Sequence, residues 1–415
     1  MISVFNEKKR IYRQVMPCLR GIMQGNIAVI FMATLFLLVF ASYGYPNSQM
    51  SDSKTLELRK KYRKMQEYDM KLEKEGYKNG YVTTMFGSEK NDIFLVGLKN
   101  GKDTSRYGQY SGGGLWISND KAKSWHKSMT GIRDVKRQIY HLVEDGQRGR
   151  FYLATEHGAY RSDDKARTWQ RFSEGHPYEH RDDDILTPTY YKLSLDPDSG
   201  DVYSRVPLDG FGIYKTGCET ANWISIGDSL SADSITIDVA FSPADKSVYI
   251  LNGNSGAIVI GGFDSQTMGV YKGTPGGKGY EWVKEKIPVE SKDDCEVMRS
   301  IAADPYTGIL YACTSFGLYK KTGGTWTKDL DEIYVYNVAF EKGNQQRAIA
   351  FTAERLFMRD KGTWNPISNT PWNELATVRG ATFFKGGIFI ATNEGLFVSW
   401  DNTRSWARVK LPDAS

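Results

Sequence analysis

Residues 114–125 read GLWISNDKAKSW, and residues 158–169 repeat that layout as GAYRSDDKARTW. Each is an apolar-aromatic triplet opened by Gly, followed by a polar turn and then Trp. Five more segments share it: GIYKTGCETANW from Gly212, GVYKGTPGGKGYEW from Gly269, GLYKKTGGTW from Gly317, RLFMRDKGTW from Arg355 and GLFVSWDNTRSW from Gly395. They account for seven of the ten Trp: Trp125, Trp169, Trp223, Trp282, Trp326, Trp364 and Trp406. From the opening residue to Trp is 11 positions in four copies, 9 in two and 13 in one, so every difference is even. In a β-hairpin a change of two keeps Trp on the same face, whereas a change of one would turn it over. The seven Trp therefore read as equivalent wedges of a structural repeat.

Upstream of most copies stands an acidic or Pro-containing turn followed by an aromatic-aliphatic strand, as in DPDSGDVYS (196–204), SPADKSVYIL (242–251), DPYTGILYACT (304–314) and DGQRGRFYLAT (145–155). Each unit then reads strand, turn, strand, loop, strand, turn, strand. Seven such units across 81–411 give about 47 residues each, near the length of a propeller blade. A four-stranded sheet cannot bury both of its faces alone, and closing a ring stacks each on two neighbours. The expected fold is all-β, a seven-bladed propeller of four-stranded antiparallel blades over 81–415. The 41 Gly and 13% aromatic residues suit it, and 40% hydrophobic residues exclude both a disordered chain and a polytopic membrane protein.

Three of the turns are more specific. Ser118-x-Asp120-(x3)-Ser124-Trp125, Ser162-x-Asp164-(x3)-Thr168-Trp169 and Ser399-x-Asp401-(x3)-Ser405-Trp406 resemble the Asp-box, the repeat of bacterial neuraminidases, written Ser-x-Asp-x-Gly-x-Thr-Trp. Asp accepts hydrogen bonds from the turn N–H groups, Ser or Thr ties the hairpin ends, and Trp buries its ring between sheets. Ala122, Ala166 and Thr403 stand at the usual Gly position, which predicts an altered or shifted left-handed residue. Cys218 replaces Asp in the third copy, and copies five and six are two residues shorter. The resemblance implies a propeller fold, with the box a structural staple away from the usual ligand face. It leaves activity open, since sialidases, xyloglucan hydrolases, receptors, photosystem assembly factors and subunits of redox complexes share the box.

Outside the repeat, residues 1–45 read as a signal peptide or signal anchor. Lys8, Lys9, Arg10, Arg13 and Arg20 precede the uncharged run IAVIFMATLFLLVF (27–40), and Ala41, Ser42 and Gly44 follow it. Either outcome puts the body outside the cytoplasm: periplasm, secreted, or the lumen of a specialised compartment such as the anammoxosome. The 365 residues after position 50 carry 49 basic and 48 acidic groups, which gives no reason to expect a nucleic-acid partner. Residues 46–80 form a charged arm, helical over 52–75, with Leu58, Tyr62, Met65 and Leu72 as a thin apolar stripe interrupted by Asp69. It reads as a strut on the main domain or as a partner-docking arm. Cys295 and Cys313 flank a hairpin and are either bridged or two buried thiols.

No catalytic residue emerges. Arg205-Val206-Pro207 looks like the Arg-Ile-Pro element of sialidases but falls in the third blade, and reads as a loop with a Pro stop. Asp182, Asp183 and Asp184 are candidates for a glycosidase carboxylate pair, although adjacent acids are more often a solvated loop. All five His lie between 126 and 180: His126, His141, His157, His176 and His180. His176 and His180 with Asp182 give an incomplete ligand set, so no metal is assigned. No Cys-x-x-Cys-His is present, so no c-type haem attaches to this chain.

Three long connections remain: 99–113, 173–188 and 252–268. Tyr107, Tyr110 and Tyr178 suit a protein interface. Ala257, Ile258, Val259 and Ile260, flanked by glycines, form either an extra strand packed on the blade or a finger inserted into a partner. In size, export leader, blade number and lack of a haem motif the chain is similar to the haem-free propeller subunits of hydrazine synthase. That likeness implies a non-catalytic docking subunit beside c-type cytochrome subunits, whose haems would make hydrazine from nitric oxide and ammonium. The competing class is a secreted carbohydrate-active enzyme or lectin of sialidase-like or xyloglucanase-like type.

Overall fold

The computed structural model describes residues 53–99, 112–132, 139–155, 158–173, 192–206, 212–230, 234–254, 269–276, 279–288, 298–332, 334–343 and 347–412. Among the described residues there is one helix, α1 (Ser53–Lys74), followed by seven four-stranded antiparallel sheets. Their strands run over 81–127, 139–171, 192–225, 234–284, 298–330, 337–367 and 378–409, here called blades 1 to 7. In every blade the four strands pair in sequence order, so each is an uninterrupted meander.

The first strand of each blade lies beside the first strands of the blades before and after it, and that of blade 1 (Tyr81–Ser88) lies beside that of blade 7 (Val378–Phe384). The ring is thus closed, with first strands innermost and no strand exchanged at the junction. The Phe94 ring packs against Phe384 and Phe389 of blade 7 at 5.4 and 4.3 Å between centroids, which seals that junction.

Burial follows the same plan. The buried apolar side chains of the described residues fall into seven clusters, one at each blade–blade interface. Second strands are buried on both faces, as in Phe94–Leu95–Val96 and Ile388–Phe389–Ile390. Such strands need neighbours on either side, which only a ring of sheets supplies to all seven.

The repeating Trp takes one place in every blade, immediately before or within the fourth strand, and reaches back to the preceding blade. Six indole N–H groups donate there. Trp169 bonds Ser128 Oγ (3.0 Å), Trp223 the Phe172 carbonyl (2.7 Å) and Trp282 the Ile226 carbonyl (2.7 Å). Trp326 bonds Glu285 (2.9 Å), Trp364 bonds Asp329 (2.7 Å), and Trp125 of blade 1 bonds the Lys410 carbonyl (2.9 Å) beyond blade 7. Trp406 packs edge-on against Trp372, and its buried N–H has no partner.

Candidate functional site

A four-stranded meander sorts its connections. Those between strands one and two and between three and four share one face of the ring. Those between strands two and three and from blade to blade share the other. The turns that resemble the Asp-box therefore sit on the first face. All three long connections leave from the second, and so does α1.

On the first face the boxes are closed networks. Ser118 Oγ donates to Asp120 (2.8 Å) and accepts the Ala122 N–H (2.9 Å), while Asp120 accepts the Ser124 N–H (2.9 Å) and Ser124 Oγ–H (2.6 Å). Ser162, Asp164, Ala166 and Thr168 repeat this at 2.8, 3.0, 2.9 and 2.6 Å. Ser399, Asp401, Thr403 and Ser405 do so at 2.9, 2.8, 2.8 and 2.5 Å. These bonds hold the Asp120 and Asp401 carboxyls below their ordinary range, with Asp401 at about 2, and Ser124 and Ser405 are the main causes. Burial opposes the effect at Asp164, yet its pKa is also lowered.

The expected change at the Gly position is corrected. Ala122, Ala166 and Thr403 have φ of 66°, 60° and 71°, so the left-handed conformation is kept by residues with a Cβ. The Ser Oγ bond to the N–H at that position holds it there. In the third copy Thr216 Oγ1 closes the turn onto the Thr220 carbonyl (2.6 Å), and Cys218 is a buried free thiol. The shorter copies turn on Gly323–Gly324 and Lys361–Gly362, both residues of each pair having positive φ, as a two-residue hairpin requires.

On the second face α1 lays one stripe across blades 5 to 7 and blade 1. Lys61 pairs with Glu354, the Tyr62 ring meets Tyr334 edge-on at 5.9 Å, and Met65 is buried. Tyr68 donates to Glu394 (2.7 Å), which pushes its hydroxyl up to about 12. Asp69 accepts from Arg379 (2.7 Å) and Asn393 (3.0 Å), and Glu73 pairs with Lys99 (3.3 Å). Arg379 and Lys99 also lie over the Tyr81 ring at 5.3 and 5.2 Å. Burial lowers the Lys99 pKa despite Glu73. The arm thus lies on the propeller as a strut, and the acid that interrupts its apolar stripe is its anchor.

One of the receiving residues, Arg379, comes from a β-bulge. The first strands of blades 1, 2, 4, 5 and 7 each carry one extra residue near their start, at Thr83, Tyr140, Ile237, Arg299 and Arg379. A bulge re-aims a side chain at a rim. Arg379 here meets α1, and Arg299 stacks over Tyr336 at 5.3 Å. One step further in, polar residues stitch blade to blade. His141 Nδ1 accepts the Leu193 N–H (3.3 Å), Asp238 accepts the Ile301 N–H (3.1 Å) and faces Lys192 (3.5 Å), and Ser300 donates to Asn337 (3.2 Å). Burial holds the His141 imidazole well below its ordinary pKa, so it is neutral.

Of the residues singled out from sequence, Tyr107, Tyr110, Tyr178, Ala257, Ile258, Val259 and Ile260 lie outside the described residues. So do Pro207, the Asp182–Asp184 run, His157, His176, His180 and Cys295. Arg205 ends the second strand of blade 3 and bonds the Thr236 carbonyl of blade 4 (2.6 Å), while Val206 is buried. Cys313 is a buried free thiol rather than half of a bridge, and its pKa is raised by burial. Among the described residues no three His, Cys, Asp or Glu side chains converge as metal ligands do, and no helix is long and apolar enough to cross a membrane. The Asp69–Arg379 pair and the Tyr81 site were missed. The acid within the apolar stripe was their only signal.

No family model matches the chain, and no curated protein does. Solved structures do. The extracellular domain of a hybrid two-component system from B. thetaiotaomicron superposes with a TM-score of 0.53 at 13% identity, over 78% of this chain and 38% of that one. A second such domain from the same organism gives 0.50 at 17% identity, over 78% and 40%. The chain spans about two-fifths of the length of these structures, and at such identity the likeness is one of fold.

Proposed function

We propose that this chain is a non-catalytic propeller scaffold of an extracytoplasmic multi-subunit complex, docking a protein partner through the face that carries α1. The observation behind this reading is the sorting of features between faces. One face carries short connections, three of them turns closed by their own hydrogen bonds, while all three long connections leave the other beside an ordered helix. Long connections on a rigid scaffold commonly carry recognition. A near-neutral body and blade-to-blade use of Arg205, His141 and Asp238 fit a scaffold better than a reaction centre.

The partner class follows from the overall layout. We assign the chain to an Asp-box propeller lineage resembling the haem-free subunit of hydrazine synthase, with c-type cytochrome partners that hold the haem and carry out the redox chemistry. The leader would place such a complex in the periplasm or in the lumen of the anammoxosome. A native pull-down from the source, read by mass spectrometry, tests this. Co-purifying c-type cytochromes are the expected result. A body that purifies alone and turns over sialosides or β-glucans would establish the carbohydrate-active alternative.

A further inference from the structure

We infer that a cleft between blades 1 and 2, on the face opposite α1, binds the oxyanion of a small ligand, a sulfate or phosphate ester. The cleft holds about 340 Å³, within the range of small-ligand sites. Its floor includes Ile93 and Ile117, and its rim carries Lys127, Lys165, Arg167, His126 and Asn119. No carboxylate lines it.

That charge pattern is local. The body as a whole is balanced in charge, with 49 basic and 48 acidic groups after position 50. Lys165 and Arg167 form no ion pair among the described residues, whereas the Lys127 ammonium lies over the Trp116 ring at 5.3 Å, on the side of blade 1 that faces blade 7. Acids of the adjoining turns and strands accept hydrogen bonds from their own surroundings. Asp120 and Asp164 accept from their own turns, and Glu144 accepts from Ser88 (2.7 Å) and Asn91 (2.8 Å). Lys165 and Arg167 thus share one concavity whose lining holds no carboxylate.

The fold fixes their positions. Lys165 and Arg167 flank Ala166, whose N–H is held by Ser162 and whose carbonyl accepts from Ser128 Oγ, so the rigid box of blade 2 presents both side chains beside the fourth strand of blade 1. Arg offers a planar fork suited to two oxyanion oxygens, and Lys adds point charge. The isoleucine floor suits the organic part of an ester and lowers the local dielectric, which strengthens the charge contacts. This site is independent of the docking reading, because it lies on the other face.

The test is titration calorimetry on the folded chain with sodium sulfate and sodium phosphate, at ionic strength held constant with chloride. A sulfated monosaccharide and its unsulfated parent form the second arm. Saturable heats with sulfate or phosphate are expected, tighter binding with the sulfated sugar, and none with the parent. Arg167→Glu should weaken binding by about tenfold or more, and Arg167→Gln by less. Unchanged near-ultraviolet circular dichroism of both variants would show that the fold is kept. Absence of heat beyond chloride, or equal binding by Arg167→Glu and the parent protein, would overturn the assignment.

Discussion

Arg379 Nη2 lies 2.7 Å from Asp69 Oδ2, joining two residues 310 positions apart in the chain. Asp69 belongs to α1, whereas Arg379 is the extra residue of a bulge in the innermost strand of blade 7. The charged helix ahead of blade 1 is thereby fastened to the last blade, next to the ring closure. The contact is half-exposed and screened by solvent, so its value lies more in position than in energy. It should give a coupling of about 1 kcal/mol in a double-mutant cycle of Asp69→Asn and Arg379→Gln read by urea denaturation. Hydrogen exchange in α1 should quicken in either variant while the second strands stay protected.

The Trp wedges should differ in a predictable order. Replacing Trp169 or Trp223 by Phe removes a buried donor from Ser128 Oγ or the Phe172 carbonyl and leaves the acceptor unpaired. A loss of about 2–3 kcal/mol is expected, from the hydrogen bond and the lost ring volume together. Trp406→Phe should cost about 1 kcal/mol less, because its N–H is already without a partner. Urea midpoints at constant m-value give the comparison.

Backbone strain in the boxes makes a second ordered series. Thr403 is β-branched at φ 71°, so Thr403→Gly should stabilise the protein by about 1 kcal/mol. Ala166→Gly relieves a similar strain at φ 60° but loses a fully buried methyl, so it should be near neutral. Thermal unfolding of both variants, each with an unshifted circular dichroism spectrum, reads the difference.

Acid stability should follow the boxes. Asp120, Asp164 and Asp401 have folded pKa values below the usual carboxylate range, so the unfolded chain binds more protons than the folded one. Their contribution is whole above the unfolded value, near 4, and is lost as pH falls through the folded values, about 2 for Asp401. The melting temperature should therefore drop between pH of about 4 and about 2, and the Asp120→Asn, Asp164→Asn, Asp401→Asn triple variant should show a shallower drop.

The blade plan was legible because each unit repeats a pattern that packing demands. Even spacing from Gly114, Gly317 or Gly269 to its Trp preserves a face, and that arithmetic needs no coordinates. The positions of the three Ser-x-Asp turns were legible for the same reason, but the backbone at the position where the Asp-box has Gly was not. A side chain at Ala122 or Thr403 does not announce that its N–H is captured by Ser four residues earlier. The α1 face was less legible. Arg379 reads as an ordinary strand residue until a bulge lifts it to the rim, and bulges arise from pairing between strands rather than from local pattern. Asp69 read as a flaw in an apolar stripe because its partner lies at the far end of the chain. The face assignment of the long connections needed only the strand count, once each blade was known to be a complete meander.

Cross-linking mass spectrometry on the complex purified from its native source tests the docking face most directly. Links from a partner should concentrate on Lys60, Lys64 and Lys71, which are exposed on α1, and should spare Lys123 and Lys361 of the opposite turns. Partner links gathered on Lys123 and Lys361, with α1 left free, would contradict the account.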